Sequence, residues 1–535
     1  MVLMSIKKLR AGSSVKNIIL SAYIVLFLNG PFWSRFSLLL GTATAANWIL
    51  IIMIGIGITF ALNGLFSLLS CKHLFKPAVI LILLVAAVVN YYMESYGIVI
   101  SKQMITNLLE TDVKESAEQL SFPFFLHILL KAGIPSVLLV LTEVVYRPWR
   151  KELLERAAVF AGSAVMLVLV VLANFKGITL FGRNHPELRM YINPTYPVYS
   201  FVKVLAKGSR LKPNEPLKVV APDASRIPSG HKSLFVLVVG ETARAEQFSL
   251  NGYSRNTNPE LSALDIVNFT DVQSCGTDTA ESLPCMFSAL GRNSYSRKEA
   301  SKQENLLDIL KRTGVNVHWL DNNSGSKGIA DRIANKSYAD EKDPLLCTTD
   351  ECFDEIMLQD FDKLLAENSG DMFLVLHQKG SHGPSYYKRS PANFKKYIPE
   401  CTQDNVQDCE RQSIINAYDN TILYTDHFLA KLIARLKKES YATAMLYVSD
   451  HGESLGENNI FLHGMPYAIA PKQQTQVPMI FWGSASYLKE GNIDKSVLEI
   501  QKHNSFSHDY LFHSILGLFK VKTAAYKQKL DLFHP

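Results

Sequence analysis

Five apolar stretches of near-spanning length follow one another in the first third of this chain, and they constrain its architecture more than any other feature. They run from Asn17 to Trp33, Asn47 to Leu69, Pro77 to Tyr92, Phe122 to Tyr146 and Ala157 to Phe175. A cleaved signal peptide would account for the first and leave the other four unexplained. The expectation is an α-helical membrane domain of five transmembrane helices over residues 1–180. Lys and Arg near helix ends resist translocation, so they orient the bundle. With a cytoplasmic N-terminus, Lys7, Lys8, Arg10, Lys16, Lys72, Lys76, Arg147, Arg150, Lys151 and Arg156 stay inside, against Arg35, Lys102 and Lys114 outside. An odd number of crossings then exports everything after about Gly177.

The cysteines divide along the same line. Cys71 falls in a predicted cytoplasmic loop, while Cys275, Cys285, Cys347, Cys352, Cys401 and Cys409 fall in the exported part, where disulfides persist. Neighbour pairing, 275 with 285, 347 with 352 and 401 with 409, makes three small loops. Zinc knuckles are the alternative, but no spacing is C-x-x-C and an oxidising compartment disfavours them. A net charge of +6 suits an anionic membrane surface and gives no case for a nucleic-acid partner.

Residues 181–231 read as a linker, rich in proline from Pro186 to Pro228. The apolar segment Val198 to Leu205 inside it, with Lys203 and Lys207 at its polar end, predicts a short interfacial helix. Residues 232–535 alternate β-like and helical runs, the pattern of an α/β domain around a mostly parallel central sheet. Predicted strands are Ser233 to Gly240, Val315 to Leu320, Met372 to His377, Thr443 to Ser449 and Pro478 to Trp482. The clearest helices are Asn305 to Arg312 and Ile414 to Leu436.

An open α/β sheet binds its ligands at the carboxyl ends of its strands. The first predicted strand delivers Glu241 there, and the run Ala-Met-Leu-Tyr-Val-Ser delivers Asp450 and His451. Two carboxylates and an imidazole suit zinc or a similar divalent ion, although each residue alone also fits a turn or a helix cap. The nucleophile candidate is Ser-Cys-Gly-Thr-Asp-Thr-Ala, residues 274–280, which carries Thr277 and Thr279. A hydroxyl becomes nucleophilic when a metal lowers its pKa, and helix-start amides can hold a phosphoryl oxygen. An ordinary capped helix start, with Asp278 or Thr279 as N-cap, is the competing explanation.

Several motifs together resemble the lipid A phosphoethanolamine transferases, the family that includes the mobile colistin-resistance enzymes. They are Val-Val-Gly-Glu-Thr-Ala-Arg-Ala with Asn-Gly-Tyr-Ser-Arg-Asn-Thr-Asn-Pro, Ser-Cys-Gly-Thr-Asp-Thr-Ala with Pro-Cys-Met-Phe-Ser, Asp-Asn-Asn-Ser-Gly-Ser-Lys-Gly, Gly-Ser-His-Gly-Pro and Ser-Asp-His-Gly-Glu-Ser-Leu-Gly-Glu. The resemblance implies an alkaline-phosphatase-like periplasmic domain on a multi-pass Gram-negative inner-membrane anchor, acting as a monomer. It implies that Glu241, Thr279, Asp450 and His451 hold Zn2+, with Thr279 also the nucleophile. It places His382 and His463 near the reacting phosphate and a possible second divalent ion, and makes Asn323 and Lys327 phosphoethanolamine contacts. Asn107, Thr111 and Glu115 match a lipid-binding patch. The implied reaction moves phosphoethanolamine from phosphatidylethanolamine to a lipid A phosphate through phospho-Thr279, lowering surface charge and favouring polymyxin resistance. Relatives that use core sugars or glucans, or water, as acceptor are the alternatives; the sulfatase motif C-x-P-x-R is not present at Cys275 or Cys285. The chain departs from the family at Asp278 and Glu281, where the motif has Ser and Tyr.

Overall fold

Inside lipid every backbone polar group must bond within its own segment, so long apolar runs form helices. The computed structural model describes residues 10–41, 44–110, 120–208, 217–228, 230–349, 351–368, 370–403 and 406–534. These belong to two units, Met1–Lys102 with Leu120–Lys207, and Gln103–Gln119 with Gly208–Pro535. In the first unit, α1 (Ser13–Phe27) and α2 (Gly30–Leu40) form a pair bent by 58°. Four helices long and apolar enough to cross a membrane follow: α3 (Ala45–Leu68), α4 (Phe75–Tyr96), α5 (Phe122–Leu141) and α6 (Trp149–Ala173).

The first apolar stretch is therefore a broken pair and not one straight span. Asn29-Gly30-Pro31 causes the break, because proline lacks the N–H that would continue the ladder. The freed carbonyls find other donors: Trp33 Nε1 bonds Val25 O at 2.7 Å, Lys131 Nζ bonds Phe27 O at 2.8 Å, and Asn193 Nδ2 bonds Leu28 O at 2.9 Å. Apolar length alone does not register such a break. The fourth stretch ends at Leu141, since Glu143–Val145 leaves the helix to pair with Arg10–Gly12. Lys16 Nζ donates to Thr142 Oγ1 at 2.8 Å and Glu143 O at 2.9 Å, and Lys76 Nζ to Val140 O at 3.0 Å and Thr142 O at 2.8 Å. Two of the lysines that orient the bundle thus gather at the carboxyl end of α5, where cations are favoured.

The segment expected to be linker begins as helix. Asn174 caps α7 (Phe175–Asn184) by accepting from Gly177 N at 3.2 Å, and α8 (Thr195–Gly208) contains the expected interfacial segment.

The second unit is built on a seven-stranded sheet of β1 (Ser233–Gly240), β2 (Val267–Phe269), β3 (Asn316–Asp321), β4 (Ala334–Ser337), β5 (Asp371–His377), β6 (Ala442–Ser449) and β7 (Met479–Gly483), in spatial order β2-β7-β6-β1-β5-β3-β4. The five strands from β4 to β6 in that order run parallel, and β7 is antiparallel to both its neighbours. Central β1, with parallel partners on both sides, is apolar and buried from Leu234 to Gly240, as a strand covered on both faces must be. Phe235, Leu237 and Val239 pack into one core with Phe373, Val375, Leu446 and Phe481. All five strands expected from the sequence are present. The two edge strands are not legible there: β2 has three residues, and β4, Ala-Asn-Lys-Ser, is exposed throughout.

The six cysteines of this unit pair with their neighbours: Cys275–Cys285, Cys347–Cys352 and Cys401–Cys409. Cys71 is free and exposed. The first bridge closes the loop into helix α9 (Thr279–Met286). Replacing Cys275 and Cys285 together by serine should destabilise the protein by roughly 2–3 kcal/mol, the value for a short closed loop. A thermal melt against the parent chain checks this, and an unchanged midpoint would refute it.

Candidate active site

Two strand ends and one helix start meet at the carboxyl edge of the sheet. Glu241 follows β1, Asp450 and His451 follow β6, and Thr279 is the first residue of α9. Glu241, Asp450 and His451 are fully buried, and one ligand atom from each lies within 4.8 Å of the others. Thr279 Oγ1 stands 3.1 Å from Glu241 Oε2, 3.2 Å from Glu241 Oε1 and 3.3 Å from His451 Nε2. Thr277, the other hydroxyl of the motif, is engaged elsewhere and donates to Met465 O at 2.6 Å. Asp278 is the N-cap, its Oδ1 accepting from Glu281 N at 3.0 Å. The segment is a capped helix start, and it points the Thr279 hydroxyl at the cluster.

Local backbone is shaped to this end. Thr242 has φ of +52°, a left-handed conformation unusual for a β-branched residue. It is fixed by Tyr418 OH, which donates to Thr242 O at 2.7 Å, and by its own N–H, which donates to Asp450 Oδ1 at 3.3 Å. Gly380, at φ +56°, lies so close to Glu241 that a Cβ would sit 2.7 Å from the Glu241 carbonyl oxygen, so no side chain fits.

Electrostatically the cluster asks for a cation. Burial disfavours the Asp450 carboxylate and, with Glu241 beside it, pushes its pKa up to about 6. Burial opposes charge on His451 too, but Asp450 and Glu241 outweigh it and raise its pKa to about 10. Burial likewise works against the charge on Glu241, yet its bond to His451 and the surrounding histidines hold it well below the usual carboxylate range. Asp450 Oδ2 is buried without a hydrogen-bond donor. Two carboxylates, one imidazole and one hydroxyl, with an orphaned carboxylate oxygen among them, fit a divalent ion.

The surrounding residues include two sets. His463 stacks 4.4 Å from His451 and 5.6 Å from His382, ring centre to ring centre, and its Nδ1 pairs with Glu453 Oε2 at 2.8 Å. Both expected histidines therefore join the cluster. Asn323 comes in from the loop after β3: its Nδ2 donates to Glu241 Oε2 at 2.6 Å and Gln378 O at 2.9 Å, so its amide orients the carboxylate. Asn323→Ala should weaken divalent-ion binding about 10- to 100-fold, as loss of a supporting hydrogen bond to a metal ligand does; competition with a chromogenic chelator reads this directly. Lys327 lies on the same loop and bonds Ser324 O at 3.1 Å and Ser324 Oγ at 2.8 Å, lining a cavity with Pro284 and Arg297. Asn107 is on the helix Lys102–Glu110, half-buried; Thr111 and Glu115 lie outside the described residues.

Sequence reasoning missed His377 and Asp321, the last residues of β5 and β3. Asp321 Oδ2 pairs with His377 Nδ1 at 2.9 Å, and His377 Nε2 lies 3.3 Å from Asn323 Nδ2. The strand-end rule that singled out Glu241 applies to both.

Comparison with known proteins agrees with this geometry. Residues 233–521 match the Sulfatase family, and residues 58–208 match Phosphoethanolamine transferase EptA/EptB. The chain is 42% identical over 494 residues, 90% of each protein, to phosphatidylethanolamine transferase Mcr-2 of Escherichia coli. It is 39% identical over 536 residues to Mcr-1 of the same organism, covering 96% of this chain and 97% of that one. Among solved structures it is similar to the integral membrane lipooligosaccharide phosphoethanolamine transferase A (EptA) from Neisseria meningitidis, with a TM-score of 0.94, 36% identity and coverage of 98% and 99%. With a sulfatase-type domain joined to apolar helices in one chain, and relatives of this identity along nearly all its length, the protein belongs to the phosphoethanolamine transferases.

Proposed function

We propose that this enzyme transfers phosphoethanolamine from phosphatidylethanolamine to a phosphate of lipid A, through an ester on Thr279. The observation that carries this reading is the Thr279 hydroxyl, within 3.3 Å of both Glu241 and His451 at the start of a helix. Glu241, Thr279, Asp450 and His451 would hold a Zn2+ ion. When bound, such an ion lowers the pKa of a hydroxyl and neutralises negative charge developing on phosphoryl oxygens. The Thr279 oxygen attacks the donor phosphorus, the bond from phosphorus to the diacylglycerol oxygen breaks, and that oxygen takes the proton that Thr279 gives up. In the second half, an oxygen of the lipid A phosphate attacks the same phosphorus, the bond to Thr279 breaks, and the Thr279 oxygen takes up the proton of the attacking phosphate hydroxyl, which restores the threonine. His382 and His463 face the transferred phosphate or a second divalent ion, while Asn323 and Lys327 border the phosphoethanolamine. Asn107, Thr111 and Glu115 contact the donor lipid. A membrane anchor keeps the site among two lipid substrates and raises their effective concentration.

The donor is supported by the Mcr relatives, named as phosphatidylethanolamine transferases, and the acceptor class by the Neisseria protein, named for lipooligosaccharide. The expected place of work is the periplasmic face of a Gram-negative inner membrane, and the added ammonium weakens attraction of cationic peptides such as polymyxin. The test is incubation of the full chain with a phosphatidylethanolamine bearing a fluorescent acyl chain. Labelled diacylglycerol should appear together with a phosphoethanolamine adduct on the peptide containing Thr279. Release without adduct would assign the chemistry to direct hydrolysis instead.

A further inference from the structure

His508 takes no part in the cluster above, yet it lies between two of the three segments that form it. It is 2% exposed and immediately precedes α10 (Asp509–Leu518). Its backbone is held beside the nucleophile segment: Ser505–Ser507 pairs in parallel with Asp271–Gln273, and His508 N donates to Gln273 O at 3.0 Å. Both ring nitrogens are engaged. Cys275 N–H donates to Nδ1 at 3.0 Å, and Nε2 lies 3.0 Å from Ser449 O. An amide N–H can only donate and a carbonyl can only accept, so these partners fix a neutral imidazole with its proton on Nε2. Its burial, the largest cause, lowers its pKa to about 3, in keeping with that neutral form. One partner lies four residues before Thr279 and the other directly before Asp450. Ser282 reinforces the link, its Oγ donating to Asp450 O and lying 3.4 Å from His508 Nδ1. Gly276 allows the close fit, since a Cβ there would meet Ser282 N at 2.7 Å.

We infer that His508 is a positioning residue: its imidazole bridges the backbone of the nucleophile loop to the end of the strand carrying Asp450 and His451, and so sets where the Thr279 oxygen stands relative to them. The inference rests on the threonine reading above and adds a residue that touches neither substrate nor metal. A misplacement of about 1 Å in a reacting group lowers a rate about 100-fold, so the bridge should act on the rate of attack and not on donor binding.

The test compares the full-length chain with His508→Phe, which removes both bonds, and with His508→Asn and His508→Gln. Asn places an acceptor near Nδ1, and Gln places a donor near Nε2. Each variant is loaded with Zn2+, its metal content is measured, and Thr279 adduct formation from fluorescent phosphatidylethanolamine is followed over a range of donor concentrations. The expected result is a maximal rate lowered about 100-fold in His508→Phe, with smaller losses in the Asn and Gln variants, at unchanged half-saturating donor concentration and zinc content. Wild-type rates in the Asn and Gln variants would overturn the role even if His508→Phe fails to fold. So would a loss that follows raised half-saturation or missing zinc. No adduct on the unaltered chain overturns the threonine reading and the bridge with it, whereas an adduct forming equally fast in every variant overturns the bridge alone.

Discussion

Thr279→Ala removes one oxygen atom from the cluster and should abolish transfer, lowering the rate on the order of 1,000-fold or more, since groups that act as a unit fail together. Stability should barely move. The threonine is the first residue of its helix, where alanine is accepted, and Glu241 keeps its bond from Asn323 at 2.6 Å. The expected record is therefore a melting curve close to the parent's, no labelled diacylglycerol, and neither phosphoethanolamine adduct nor modified acceptor by mass spectrometry. Thr279→Ser keeps the oxygen and should retain measurable turnover. If Thr279→Ala still modified lipid A, Thr277 could not simply take over, because its hydroxyl is committed to Met465 O at 2.6 Å. The nucleophile would then have to come from outside the motif.

Stripping divalent ions should produce the second large effect, on stability as well as rate. Glu241, Asp450 and His451 are all fully buried, so without a metal the two carboxylates have one imidazolium between them. A ligand held at 100 times its Kd stabilises the folded state by about 2.7 kcal/mol, and each kcal/mol shifts the melting midpoint of a domain this size by roughly 2–4 °C. Dialysis against a chelator should thus lower the midpoint by about 5–10 °C, with zinc restoring it. An identical midpoint before and after, in protein shown by elemental analysis to have lost its metal, would remove the ion from the structural argument. In Thr279→Ala, Glu241, Asp450 and His451 remain, so a shift should still be seen, smaller than the parent's because one of the four proposed ligands is gone.

Much of the site was legible because it obeys one rule. Glu241, Asp450 and His451 each follow an apolar strand, so strand recognition and site recognition were the same act. His377 and Asp321 stand at strand ends as well without being singled out by the sequence: His377 reads as the last residue of the strand Met372 to His377, and Asp321, just past Val315 to Leu320, as the first residue of the Asp-Asn-Asn-Ser motif. His508 had no signal at all: it stands ahead of a helix far along the chain, and only the pairing of Ser505–Ser507 with Asp271–Gln273 brings it under Cys275. Partnerships between distant segments are set by packing, and packing is not periodic. The same limit applies in the membrane unit. Length and hydropathy report that residues 17–33 can cross a bilayer, whereas the bend depends on three carbonyls finding donors, one of them on Asn193.

That last dependence bears on the order in which the chain is made. Asn193 Nδ2 donates to Leu28 O at 2.9 Å and Ala86 O at 2.7 Å, and Asn29 Nδ2 donates back to Asn193 O at 2.9 Å. Asn29 and Asn193 are separated by 164 positions in sequence. When the N-terminal segment first enters the bilayer, its partner has not yet been synthesised, and carbonyls freed by a bend would face hydrocarbon unpaired. The bent form is completed only after every later crossing has emerged from the ribosome. The first bend of the bundle is thus closed by a residue that follows its last crossing.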